Sequence, residues 1–145
     1  MQTKNPLENL KGVDLSHLSK AEAKEFTLLL EELEKREKRE SSMASFYDFV
    51  KTIWPEFIAG AHHKKMAEAF DKIANGESKR LIINMPPRHT KSEFASYLFP
   101  AYLLGKRPKL KIIEATHTAD LAINFGRRVR DLIDTDDYAE IFPAT

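Results

Sequence analysis

The chain has 145 residues, a formal net charge of +1, 31% charged residues and no cysteine. That length gives one domain with a fair core, and the balanced charge neither forces nor excludes a nucleic-acid partner. The missing cysteines exclude disulfide scaffolding and Cys-based zinc sites.

Residues 1–18 contain the breakers Pro6 and Gly12 and read as loosely structured. They lack the apolar core of a signal peptide, and no run in the chain nears the ~20 residues of a membrane span. The expectation is a soluble cytoplasmic protein without a membrane partner. Ser19-Lys20-Ala21-Glu22 is a capping box and predicts a helix start. Ala23, Phe26, Leu29, Leu30 and Leu33 then share one helical face. Residues 34–40, EKREKRE, continue as a solvated helix end whose alternating charges argue against a DNA contact. A hinge is expected at Ser41-Ser42, which makes residues 1–42 an appended arm and 43–145 the main domain.

Phe46, Phe49, Val50 and Ile53 form a helical stripe that Trp54-Pro55 ends. Core packing is the ordinary meaning of such a stripe, and an aromatic wall for a base is the sharper one. A second amphipathic helix spans 61–75, with His63, Met66, Ala67, Phe70, Ile73 and Ala74 on one face and Asn75-Gly76 as its stop. His62 and His63 have no metal-ligand spacing around them, so a structural or base-proximal role is expected.

The central stretch is LIINMPPRHTKSE, residues 81–93. An apolar run, a tight turn, Lys91-Ser92 and then a helical pattern have the layout of a phosphate-binding P-loop. In that layout, loop N–H groups and a helix N-terminus face a phosphate. The Lys91 ammonium lies between the β- and γ-phosphates, and the Ser92 hydroxyl is a Mg²⁺ ligand. Met85 and Thr90 stand where G-x-x-x-x-G-K-[ST] has its glycines. On the residues alone, a nucleotide site and an ordinary strand-turn-helix with an exposed Lys both remain open.

Pro100 should kink or break the helix after Lys91, and Gly105 should end it. Residues 110–115, LKIIEA, read as a second strand. Thr118 is an N-cap for a helix carrying Leu121, Ala122, Phe125, Val129, Leu132 and Ile133. Arg127 is expected beside that apolar face, with Arg128 and Arg130 more exposed. Strand, helix, strand, helix predicts an α/β fold with a parallel sheet, right-handed crossovers and the loop at a strand's carboxyl end.

Taken together, FYDFVKTIWPEF (46–57), His62-His63, KRLIINMPPRHTKSEFAS (79–96), FPAYLLGKRP (99–108) and ADLAINFGRRVRDLI (119–133) resemble the tailed-bacteriophage terminase large subunit. Pro-Pro-Arg-His before Lys-Ser is the distinctive part. The resemblance implies a RecA-like P-loop NTPase fold, here incomplete, and ATP with Mg²⁺ as cofactors. It implies ATP hydrolysis coupled to translocation of double-stranded DNA into a procapsid. The implied partners are a portal protein, a small terminase subunit and further copies in a ring. The implied location is the host cytoplasm and transiently the procapsid portal, not the mature virion. Within the loop, Pro86, Pro87, Arg88, His89, Thr90, Lys91 and Ser92 would hold the nucleotide. Lys91 and Arg88 would be the catalytic groups, Arg88 at the γ-phosphate, and Ser92 would take the metal. Tyr47, Trp54 and His62 fall in the family's adenine-side region.

Two departures stand out. The family nearly always has glycine where this chain has Thr90, so nucleotide affinity should be reduced. No apolar strand ending in Asp-Glu follows Lys91, and the nuclease domain has no counterpart here; Glu114 is the nearest imitation and is expected to be structural. The chain therefore reads as an N-terminal fragment that binds nucleotide weakly and does not turn it over. The alternatives are a non-catalytic module docking on small terminase or portal, and another P-loop ATPase or helicase-like protein.

Overall fold

A computed structural model of the protein describes residues 19–143. The reading of residues 1–18 as loose lies outside them. The chain divides into two units, Met1–Arg39 and Glu40–Thr145.

The described part of the first unit belongs to α1, Lys20–Ala44. The capping box forms as its sequence predicts: Ser19 N donates to Glu22 Oε2 at 2.8 Å, and Glu22 N donates to Ser19 Oγ at 3.3 Å. Of the apolar stripe, Leu29 and Leu33 are exposed, while Ala23, Phe26 and Leu30 are part-buried. The helix runs unbroken through Ser41-Ser42 in place of the expected hinge. Ser42 is fully buried, and its hydroxyl meets Thr52 Oγ1 at 2.8 Å.

The second unit is built of helices around an aromatic centre. They are α2 (Phe46–Ile53), α3 (Ala61–Ala74), a π-helical stretch (Glu93–Leu98), α4 (Phe99–Lys106), α5 (Ala119–Ile133) and α6 (Asp136–Ile141). The stripe of α2 delivers Phe46 to the middle, where its ring centroid lies 5.2–5.5 Å from those of Phe70, Phe94, Phe99 and Tyr102. Mostly edge-to-face geometry suits the ring quadrupoles and adds to the burial of large apolar surfaces. Asp71 of α3 accepts from Phe46 N at 2.8 Å, which satisfies a first-turn donor of α2 across the core. Arg107 donates to Ala74 O at 2.7 Å and so covers the carboxyl end of α3. Gly76 follows at φ +80, the left-handed conformation that its sequence position predicts.

The parallel-sheet α/β class, and with it the RecA-like P-loop NTPase fold, does not hold. Among the described residues there is no strand and no sheet, and every regular element is helical. The two apolar runs, 81–86 and 110–115, are irregular chain. Their β-branched residues favour extended backbone, but a strand exists only when its N–H and C=O groups pair with a neighbour. Neither run has such a ladder. Ile83 and Met85 pack inward against the helical core, while Ile82 is 85% exposed and Ile113 94%. The crossovers, and the placement of the loop at a strand end, fall with the sheet.

Two other expectations change. Of the kink or break expected at Pro100, the break does not occur. Phe99 N bonds to Phe94 O, five residues back, and α4 begins with the proline in its first turn, so the ladder changes register where the ring removes a donor. Gly105 lies inside α4 rather than ending it. A Cβ there would overlap the buried ring of Phe142.

Candidate phosphate-binding loop

Residues 86–92 wrap a hollow of about 500 Å³ whose wall is completed by Glu93. The helix begins at Lys91, as its sequence predicts, because Thr90 O accepts the first helical bond from Phe94 N at 3.0 Å. The N–H groups of Lys91, Ser92 and Glu93 then precede any intrahelical acceptor. With the helix dipole behind them, they form the positive end that attracts an anion.

The loop reaches this shape through two left-handed residues, Arg88 at φ +64 and Thr90 at φ +54. For a β-branched residue that conformation is strained by roughly 1–3 kcal/mol and persists only where the surroundings enforce it. Here the enforcement is a chain of hydrogen bonds from α3. Gly60 N donates to His63 Nδ1 at 2.9 Å. The ring proton is therefore on Nε2, which donates to Thr90 Oγ1 at 2.6 Å. The Thr90 hydroxyl in turn donates to His89 O at 2.7 Å. His63 is buried against the rings of Phe57 and Phe94. That burial, with His62 and His89 nearby, lowers its pKa and keeps it neutral.

The remaining loop residues take distinct positions. Lys91 Nζ donates to Met85 O at 3.3 Å and so lies across the loop it closes. His89 donates from Nδ1 to Pro87 O at 2.9 Å, which stiffens the turn. Arg88, Pro86, Pro87 and Ser92 are exposed. Of the three residues in the adenine-side region, His62 lies beside the loop: its ring is 5.5 Å from that of His89, and its Nε2 is buried without a hydrogen-bond partner. The Trp54 ring lies tilted 5.3 Å from that of Phe57 and lines a neighbouring hollow with Ile53, Tyr97, Leu98, Glu93 and Arg128. Tyr47 lines neither hollow and instead faces Lys51, whose Nζ is 5.0 Å from its ring. Glu114 keeps one carboxylate oxygen buried without a partner.

The arginine reading of α5 is corrected. Arg128, not Arg127, lies near the apolar face. It pairs with both carboxylate oxygens of Glu93 and rests over the Tyr97 ring at 4.2 Å. The Glu93 hydrogen bond is the main reason its pKa is raised. Arg127 is exposed, and Arg130 pairs with Asp131. Spacing pointed to neither the bond between His63 and Thr90 nor the Glu93–Arg128 pair.

The residues fit a phosphate group: N–H donors, one ammonium and one guanidinium border the hollow. They fit Mg²⁺ only as a companion of the phosphates, with Ser92 as a single hydroxyl ligand. Among the described residues no group of three His, Cys, Asp or Glu side chains could hold a metal, and Glu93 is engaged by Arg128. Comparison with protein-family models, curated proteins and solved structures gave no match.

Proposed function

We propose that the chain binds the phosphates of ATP at residues 86–92, as the nucleotide-binding portion of a DNA-packaging motor of the terminase large-subunit kind. One observation carries the phosphate part of this reading. In α1, α2, α5 and α6 the Ser or Thr at the start turns its hydroxyl onto a first-turn N–H, from Ser19, Ser45, Thr118 and Thr135 respectively. At the Lys91 helix, Thr90 turns its hydroxyl to His63 and His89 instead. The first-turn donors are thus left for another acceptor, beside Lys91 and on a loop that lines an open hollow.

The packaging role, double-stranded DNA, the portal and small-subunit partners, and ring assembly rest on the resemblance of residues 46–145 alone. Lys91 would hold the β- and γ-phosphates, Arg88 the γ-phosphate, and Ser92 would reach the Mg²⁺ that the nucleotide brings. Bound Mg²⁺ supplies charge neutralisation; the chain's own groups bind and orient. No apolar run ending in Asp-Glu follows Lys91, so the 145-residue chain is expected to bind without turnover.

The test is calorimetric titration with MgATP beside a steady-state phosphate-release assay. The reading expects weak binding that Lys91→Ala abolishes, and no turnover. Binding indifferent to Lys91 would overturn it, and turnover abolished by Lys91→Ala would overturn the non-catalytic half.

A further inference from the structure

The loop conformation depends on a residue that does not itself line the hollow and reaches it through Thr90. His63 lies on α3, at its third helical position, and is 6% exposed. It has one acceptor and one donor, and both are used: Nδ1 accepts from Gly60 N and Nε2 donates to Thr90 Oγ1. Thr90 has a strained left-handed backbone and a hydroxyl that would otherwise be free to cap the helix starting at Lys91.

We propose that His63 is a positioning residue for the phosphate loop: it holds the Thr90 hydroxyl away from the first helical turn and the Thr90 backbone at positive φ, so the N–H groups of residues 91–93 stay open to an anion. This rests on the phosphate-binding reading and adds its control. Without His63, the preferred state of Thr90 is extended backbone with its hydroxyl on a first-turn N–H, as at Thr118 and Thr135. That state fills the anion site with the chain's own oxygen. A glycine at position 90 has neither the hydroxyl nor the strain and makes the loop independent of His63. The latch is thus the counterpart of having threonine at this position.

Four chains test it: the wild type, His63→Ala, Thr90→Gly and the double variant. Two readouts are taken, pyrophosphate affinity by calorimetry and the backbone and Cβ chemical shifts of residue 90 by NMR. His63→Ala should weaken pyrophosphate about tenfold and move the Thr90 shifts from left-handed to extended values. Thr90→Gly should bind pyrophosphate more tightly than the wild type. The double variant should bind within about twofold of Thr90→Gly, since the latch has nothing left to hold. His63→Gln, whose amide N–H can replace Nε2–H, should restore both readouts and separates the latch from a cavity left by alanine. Equal losses from His63→Ala in both backgrounds, or unchanged Thr90 shifts, would overturn the proposal. If the wild type binds no pyrophosphate, the phosphate reading falls, and the Thr90 shifts alone decide whether His63 sets the loop.

Discussion

His63 and Thr90 stand 27 residues apart in sequence, and their side chains meet at 2.6 Å. That bond joins α3 to the loop before Lys91. It accounts for a threonine at φ +54, which an isolated loop would not hold.

The bond has a pH signature. Burial, together with His62 and His89, holds the His63 pKa below its ordinary 6.5 in the folded chain. The unfolded chain therefore takes up a proton more readily. The contribution of neutral His63 to stability is complete above about pH 6.5 and is lost as pH falls from there through the lower folded-state value. Protonation at Nδ1 would also set a donor against the Gly60 N–H. Urea denaturation from about pH 8 to about pH 5 should show the wild type losing more stability than His63→Gln. Parallel profiles would show that His63 does not titrate between the two states.

Asp71 gives a second contrast. Its carboxylate accepts from Phe46 N and lies 3.5 Å from the Tyr102 hydroxyl, and burial raises its pKa. The ionised form is thus tolerated rather than favoured. Asp71→Ala leaves the Phe46 donor without an acceptor and should cost about 1–3 kcal/mol in chemical denaturation. Asp71→Asn keeps the acceptor without the charge and should cost less than about 1 kcal/mol. Equal costs would mean that the charge, not the acceptor, matters.

Gly105 should be intolerant of a methyl group. The ring in its way belongs to Phe142, which is buried among Phe49, Tyr102 and Tyr138 and cannot swing aside. Gly105→Ala should destabilise by about 1–3 kcal/mol, although alanine is the better helix former. In a Phe142→Ala background the same change should be neutral or stabilising. A uniform effect in both backgrounds would remove the steric explanation.

Arg128→Lys should not be conservative. Lysine cannot keep both Glu93 oxygens and stack flat on Tyr97. Both side chains of the pair are about a third exposed, so the loss should be about 1 kcal/mol in denaturation midpoint analysis. A loss no larger than that of Arg127→Lys would show the contact to be idle.

The helices were legible because their signals are local. The Ser19–Glu22 box, the Phe46–Ile53 stripe, the Asn75-Gly76 stop and the Thr118 cap each lie within one turn of what they predict. The sheet was misread because Leu81–Ile83 and Ile112–Ile113 reveal backbone preference, whereas pairing depends on neighbours that sequence does not display. Arg128 could have been placed: at 100° per residue it flanks the Phe125–Val129–Leu132 stripe, while Arg127 falls opposite it. The loop's own residues were legible as a motif. The partner that shapes it was not, since no spacing rule links His63 to Thr90.

The most direct measurement is an NMR titration of the ¹⁵N-labelled chain with MgATP. With phosphate bound at this loop, the amide signals of Lys91, Ser92 and Glu93 shift first and furthest, and Lys91→Ala removes the response. Shifts confined to other parts of the chain, or an unchanged response in Lys91→Ala, would contradict phosphate binding at this loop.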